Sequence, residues 1–175
     1  MFYLVGHDGG IGGDVHASDE KGEIKMKLTF FVPGIASPSG SKKAFAHPKT
    51  GRIIVMDTAK RKTSWQSIVS LHAQQAMIDS GAKLTNEAVA MTIDFYFPRP
   101  KCHFGSGRNA AKIKETAPKY HTQKPDLTKL IRCTEDALTG IVYKDDCQVT
   151  ERFCQKHWCN TNEAPGVEIT LEVVL

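Results

Sequence analysis

Two stretches of strict alternation constrain this chain more than anything else in it. In "AVAMTIDFYFP" (88–98), Val89, Met91, Ile93, Phe95 and Phe97 fall on one side, and Thr92, Asp94 and Tyr96 on the other. In "GVEITLEVV" (166–174), Val167, Ile169, Leu171 and Val173 alternate with Glu168, Thr170 and Glu172. Successive side chains of a strand point to opposite faces, so each stretch reads as a strand with one apolar face. Such a face must be covered, and two segments of helical period can do it. One runs from a cap at Thr58 to about Asp79, with Trp65, Ile68, Val69, Ala73, Ala76 and Met77 inward, and ends at Ser80-Gly81. The other covers about 127–139, where Leu127, Leu130, Ile131, Thr134, Leu138 and Ile141 form one stripe around the terminator Gly140.

"MKLTFFVPG" (26–34) reads as a first strand and "CQVTERFCQ" (147–155) as another, while "KAFAHPKTGRIIVMD" (43–57) reads as a hairpin turning at His47–Gly51. The order β, hairpin, α, β, loop, α, β, β predicts an α+β domain over 26–175, a small mixed sheet with two main helices. Residues 1–25 are rich in Gly, Asp and Ser and lack periodicity. They read as a flexible acidic extension, or as a segment ahead of a native start at Met26. No apolar run is long enough to span a bilayer, and the first residues lack the basic and cleavage-site features of a secretory signal, so a cytoplasmic location is expected. The odd count of five cysteines points to reduced thiols. "CQKHWC" groups Cys154, His157 and Cys159, but the spacing is irregular and lacks a second pair of zinc ligands.

Charge is unevenly spread. Residues 1–25 hold five acids and two lysines; with −3 there and +4 overall, the remainder carries +7. A basic body suits a polyanion partner. The connection 99–125 concentrates Arg99, Lys101, Arg108, Lys112, Lys114, Lys119 and Lys124 around a single acid, Glu115. Its length, one-sided charge and the aromatic residues Phe104 and Tyr120 suggest a substrate-contacting loop as against a solvated surface one. His121 and Lys124 precede Asp126 and are expected to face substrate, and Lys42, Lys43 and Lys49 in the first loop region are further candidate polyanion contacts.

In "HTQKPDLTKL" (121–130), Asp126 stands directly before the second helix. An aspartate there is first of all a helix cap, and Asp145-Asp146 in "VYKDDCQV" is first of all a turn. The alternative is convergence of Asp126 with that pair, with Arg132 nearby. Carboxylates are the natural ligands of Mg²⁺, which can activate a water over a phosphodiester while a guanidinium grips the phosphate.

The run "HTQKPDLTKLIRCTEDALTGIVYKDDCQV" (121–149) resembles the RusA family of Holliday-junction resolvases, especially phage and prophage members, and the resemblance extends over roughly 26–175. It implies a homodimeric, Mg²⁺-dependent endonuclease that nicks paired strands of a four-way junction in DNA recombination and repair. Asp126 matches the first metal-binding aspartate and Asp145 and Asp146 the downstream pair, with Asp146 the better ligand. Arg132 takes the family's catalytic lysine position, and Lys129 replaces an asparagine and is placed against DNA. Thr128 stands where the second aspartate of Asp-x-Asp belongs. A hydroxyl is a poorer Mg²⁺ ligand, which opens the alternative of a branched-DNA binder without cleavage. Glu135, on the same helical face, either supplies the missing charge or pairs with Arg132.

Overall fold

The computed structural model describes residues 24–40, 42–57 and 61–174. The N-terminal extension, up to residue 23, lies outside the described residues, as does Thr58; the expected cap at Thr58 is not the cap of the first helix, which starts at Lys62 with Arg61 at its N-cap. The elements are β1 (Ile24–Pro33), β2 (Lys42–Ala46), β3 (Ile53–Asp57), α1 (Lys62–Ser80), β4 (Ala88–Phe97), α2 (Leu127–Leu138), β5 (Val149–Trp158) and β6 (Gly166–Val174). This is the expected order. The main sheet runs β1-β6-β4-β5: β6 pairs antiparallel with β1 and β4, and β5 lies parallel to β4. The sheet is therefore mixed. β2 and β3 form a separate antiparallel hairpin.

The alternation does what it predicts. Val89, Met91, Ile93, Phe95 and Phe97 are all buried, and their intervening neighbours are half-buried. The β4–β6 register sets Met91 beside Leu171 and Ile93 beside Ile169, so two apolar rows merge into one sheet face. Both helices share this core: α1 through Trp65, Val69, Ala73 and Met77, and α2 through Leu130, Ile131, Cys133, Ala137 and Leu138. Each Val, Leu, Ile or Met among them contributes about 1.5–3 kcal/mol when fully buried. The inward row of α1 is a single i, i+4 line, narrower than expected, and leaves Ile68 exposed. Gly81 adopts φ +66 at the end of α1, where its missing Cβ permits the left-handed cap.

β5 departs from expectation at both ends. It starts at Val149, because Asp146–Gln148 form a short 3-10 turn, and it continues to Trp158, paired with Phe97. Cys154 and His157 thereby fall on opposite faces of one strand and cannot share a zinc ion. His157 instead meets Asp94 on the face away from the helices, at 2.7 Å. All five cysteines are free thiols. Among the described residues no helix is long and apolar enough to cross a membrane.

Candidate active site and nucleic-acid interface

α2 runs antiparallel to the β4–β5 pair, so its first turn sits at the far end of both strands. Asp126 occupies the N-cap position with extended backbone (φ −67, ψ 134), and its carbonyl accepts from the Leu130 N–H at 3.2 Å. Its side chain makes no capping hydrogen bond, contrary to the helix-cap expectation. The carboxylate is exposed and pairs with Lys129 Nζ at 3.2 Å. The chain is braced just ahead of it. Lys156 of β5 donates from Nζ to the carbonyls of Gln123 (2.8 Å) and Pro125 (2.9 Å). Burial lowers the Lys156 pKa and the charge of Asp126 opposes that shift. Sequence reasoning missed Lys156. Its signal is the β5 alternation, which puts 152, 154, 156 and 158 on the helix-covered side once the strand is extended to Trp158.

Asp126 opens onto a cleft of about 670 Å³. Residues 35–38 form one wall, and the segment is anchored to α2 by the Ser39 N–H donating to the Lys129 carbonyl. Pro98, Pro100 and Pro125 form another, and Arg61, Lys124 and Lys129 supply cationic groups. Phe97, His121 and Trp158 contribute rings. His121 is buried between the other two, 4.5 Å from Phe97 and 4.1 Å from Trp158 by ring centroid, so it is part of the wall and not a free substrate contact. Burial lowers its pKa below the usual 6.5. The unfolded chain then binds a proton that the folded one resists, so this group destabilises the fold as pH drops below 6.5 and is neutral above it. Melting temperature is expected to fall between pH 7.5 and 5.5, and His121→Phe to flatten part of that fall in parallel thermal melts.

The second acidic pair lies elsewhere. Asp145 caps the 3-10 turn: its Oδ1 accepts from the Cys147 N–H at 3.0 Å, which holds its carboxyl below the usual range. Gln148 Oε1 accepts in return from the Asp145 N–H, and its Nε2 donates to the carbonyls of Thr85 and Glu87, ahead of β4. Asp146 is exposed beside it. This is the opposite end of α2 from Asp126. Twelve helical residues intervene, about 18 Å at 1.5 Å per residue. The expected convergence of Asp126 with Asp145-Asp146 does not occur within one chain. Among the described residues no three Asp, Glu, His or Cys side chains stand close enough to hold a metal ion.

Residues between the two ends resolve other expectations. Thr128 and Arg132 are exposed, and Arg132 makes no ion pair among the described residues. Glu135 pairs with neither candidate: its Oε1 meets Arg152 of β5 at 2.6 Å, with only 12% of the Glu135 side chain exposed. That contact ties α2 to the sheet and engages the Glu135 carboxylate with β5. Asp136 accepts from Gln66 (3.4 Å) and faces Lys62 (3.5 Å), bracing α2 against α1.

The basic loop is built, not slack. Arg99 donates to the carbonyls of Cys159 and Pro118 and lies over the Trp158 ring, and so ties the loop to the end of β5. Trp158 Nε1 donates to the Tyr120 carbonyl at 3.0 Å. Lys101, Arg108, Lys119 and Lys124 are exposed, with Lys119 Nζ 5.4 Å from the Tyr120 ring centroid. Lys42 and Lys43 lie in β2, opposite Asp57 and Met56 in its register.

The α+β scaffold thus presents an exposed carboxylate at a braced helix start, beside a cleft with three cationic groups. The chain belongs to the RusA endodeoxyribonuclease family: residues 38–172 match the model of Endodeoxyribonuclease RusA. One relative is an uncharacterised protein, YqaN, of Bacillus subtilis (strain 168). It is 32% identical over 154 residues, which is 85% of this chain and 96% of the relative.

Proposed function

We propose that the protein is a Mg²⁺-dependent, structure-selective endodeoxyribonuclease that resolves four-way DNA junctions by paired nicks in recombination and repair, acting as a homodimer. The observation that carries this reading is Asp126. It is an exposed carboxylate on a backbone fixed by Lys156, at the mouth of a cleft with three cations, in a chain of an endodeoxyribonuclease family. The family's action on branched DNA supports the substrate.

Among the described residues of one chain, Asp126 and the Asp145-Asp146 pair are split between the two ends of α2 and no three ligating side chains come together. Mg²⁺ needs only one or two carboxylates together with waters and phosphate oxygens. A two-fold pair that sets two copies of α2 antiparallel brings the Asp126 end of one beside the Asp145-Asp146 end of the other. Closed two-fold dimers are the commonest oligomers, and such a pair presents two equivalent sites to two equivalent strands. In this arrangement Asp126 of one subunit and Asp146 of its partner would hold the ion, with Asp145 positioning the turn. The ion would supply Lewis-acid activation of a water and neutralisation of the phosphate. The chain's own residues bind and orient the substrate: Arg132 offers two parallel N–H groups to a phosphate, and Lys124 and Lys129 attract the backbone.

The test is a labelled four-way junction, incubated with the protein with and without Mg²⁺. Paired nicks that require the ion support the reading, and indifference between a junction and a linear duplex overturns it. Tight binding without nicks identifies a branched-DNA binder, the alternative that Thr128 favours. Thr128→Asp is a second probe. The first turn of α2 holds no acid, and a carboxylate there interacts favourably with the helix dipole by about 0.3–1 kcal/mol. The variant is expected to melt slightly higher and to reach half-maximal nicking at a lower Mg²⁺ concentration.

A further inference from the structure

The nuclease reading uses only the mouth of the cleft beside Asp126 and leaves its depth unexplained. That depth is aromatic and prolyl: Phe97, His121 and Trp158 on one side, with Pro98, Pro100, Pro125, Ile35 and Ala36 around them. A phosphate or a hydrated ion would gain nothing there. A flat, weakly polar ring would.

We propose that this cleft takes one unpaired nucleobase of the DNA, stacked against the Phe97–His121–Trp158 wall. The base would lie next to the phosphate that Asp126 faces. The inference rests on the nuclease reading and specifies what its substrate must present, a base removed from its helix.

Three observations carry it. The wall is preformed: the three rings are each less than a tenth exposed, His121 is inclined at 41° to Phe97 and 40° to Trp158, and Trp158 is fixed by its bond to Tyr120 and by His103 set edge-on at 5.0 Å. A rigid wall loses no rotamer freedom on binding. Within it, His121 Nδ1 is buried and has no hydrogen-bond partner among the described residues. A base edge offers such a partner, and a purely apolar occupant does not. The charge is also asymmetric. Arg61, Lys124 and Lys129 outnumber the one carboxylate of the cleft, which suits the phosphates flanking an inserted base and not an acyl or aliphatic ligand. A volume of about 670 Å³ falls in the range of sites for small organic groups. Branched DNA provides the base cheaply, because extrusion costs least where pairing and stacking are already interrupted.

The test places 5-iododeoxyuridine at each position around the crossover of a four-way junction, and in a single-stranded oligonucleotide. Full-length protein is irradiated with each DNA in Ca²⁺, and the adducts are mapped by mass spectrometry. The expected adducts lie on Trp158, His121 or Phe97. At the same junction position, removing the base to leave an abasic nucleotide is expected to weaken binding about tenfold, within the range for stacking one base on aromatic side chains. Ser37→Trp fills the cleft from its lip and is expected to abolish both the adduct and the abasic effect. Ile35→Trp, at an exposed position on the same lip, serves if Ser37→Trp melts early. Adducts confined to the exposed rings of Tyr120 or Phe153, or abasic junctions that all bind like intact ones, overturn the proposal. The two readings separate cleanly. Nicked junctions without a cleft adduct sink the base site alone. A cleft adduct on single strands from a protein that ignores junctions sinks the junction reading alone.

Discussion

Asp126→Asn is expected to lower Mg²⁺-stimulated nicking of a four-way junction by at least about 100-fold, since even residues that only orient a metal ligand cost 10–100-fold when lost. Junction binding is expected to survive, because removing a carboxylate from a cationic cleft does not weaken its attraction for phosphate. The fold is also expected to survive. The Asp126 side chain makes no capping bond, and its ion pair with Lys129 is surface-exposed. Pairs of that kind are worth about 0–1 kcal/mol. The measurements are nicking rate against Mg²⁺ concentration, junction affinity in Ca²⁺, and a thermal melt. A variant that cuts like wild type would remove Asp126 from the site. A variant that melts several degrees lower would mean that Asp126 is mainly structural. Asp145→Asn is the informative contrast, because Asp145 accepts a backbone N–H in the capped turn and its loss should appear in the melt as well as in activity.

How much of this was legible beforehand depended on the range of the interaction. β4 and β6 could be read to the residue because strand alternation is local and each carries one apolar face. α2 could be read because Leu130, Ile131 and Leu138 repeat at the helical period and Gly140 stops it with φ +78. The end of β5 was misplaced because His157 and Trp158 are in the strand only through pairing with β4, a contact 61 residues away in sequence for Trp158 and Phe97. The same blindness hid Lys156. Its ammonium braces the Asp126 loop from across the sheet, and nothing near it in sequence announces that. Glu135 was misread for a related reason: helical spacing offered Arg132 and the position of Thr128, whereas the partner, Arg152, comes from the next strand. Arg99 was counted as a substrate contact from its place in the basic loop and His121 from its place ahead of Asp126, whereas hydrogen bonds tie Arg99 to the loop and ring packing sets His121 in the cleft wall. Residue types named the chemistry of the carboxylates, but only the direction of α2 decides which of them can meet.

That direction yields the second large prediction. If a metal site joins Asp126 of one subunit to Asp146 of the other, mixing two inactive variants should restore cutting. Asp126→Asn and Asp146→Asn homodimers each lack one ligand in both sites. In the mixed dimer, one site collects both substitutions and the other collects both intact aspartates. With free exchange and equal amounts, half the dimers are mixed and each has one of two sites intact, so about a quarter of the wild-type sites return, given the two-fold symmetry. These dimers should nick one strand of a junction and release few fully resolved products, since resolution needs both sites. If each site instead lay within one chain, every site in the mixture would carry one substitution and cutting would stay at the level of the separate variants. The measurement is nicking by each variant alone and after co-refolding, with subunit exchange verified by differently tagged chains. Recovery of single nicks supports the shared site, and verified mixed dimers without recovery exclude it. The experiment turns on what the fold imposes: 12 helical residues separate the two acidic ends of α2, and a single chain cannot close a gap of about 18 Å without dismantling the helix.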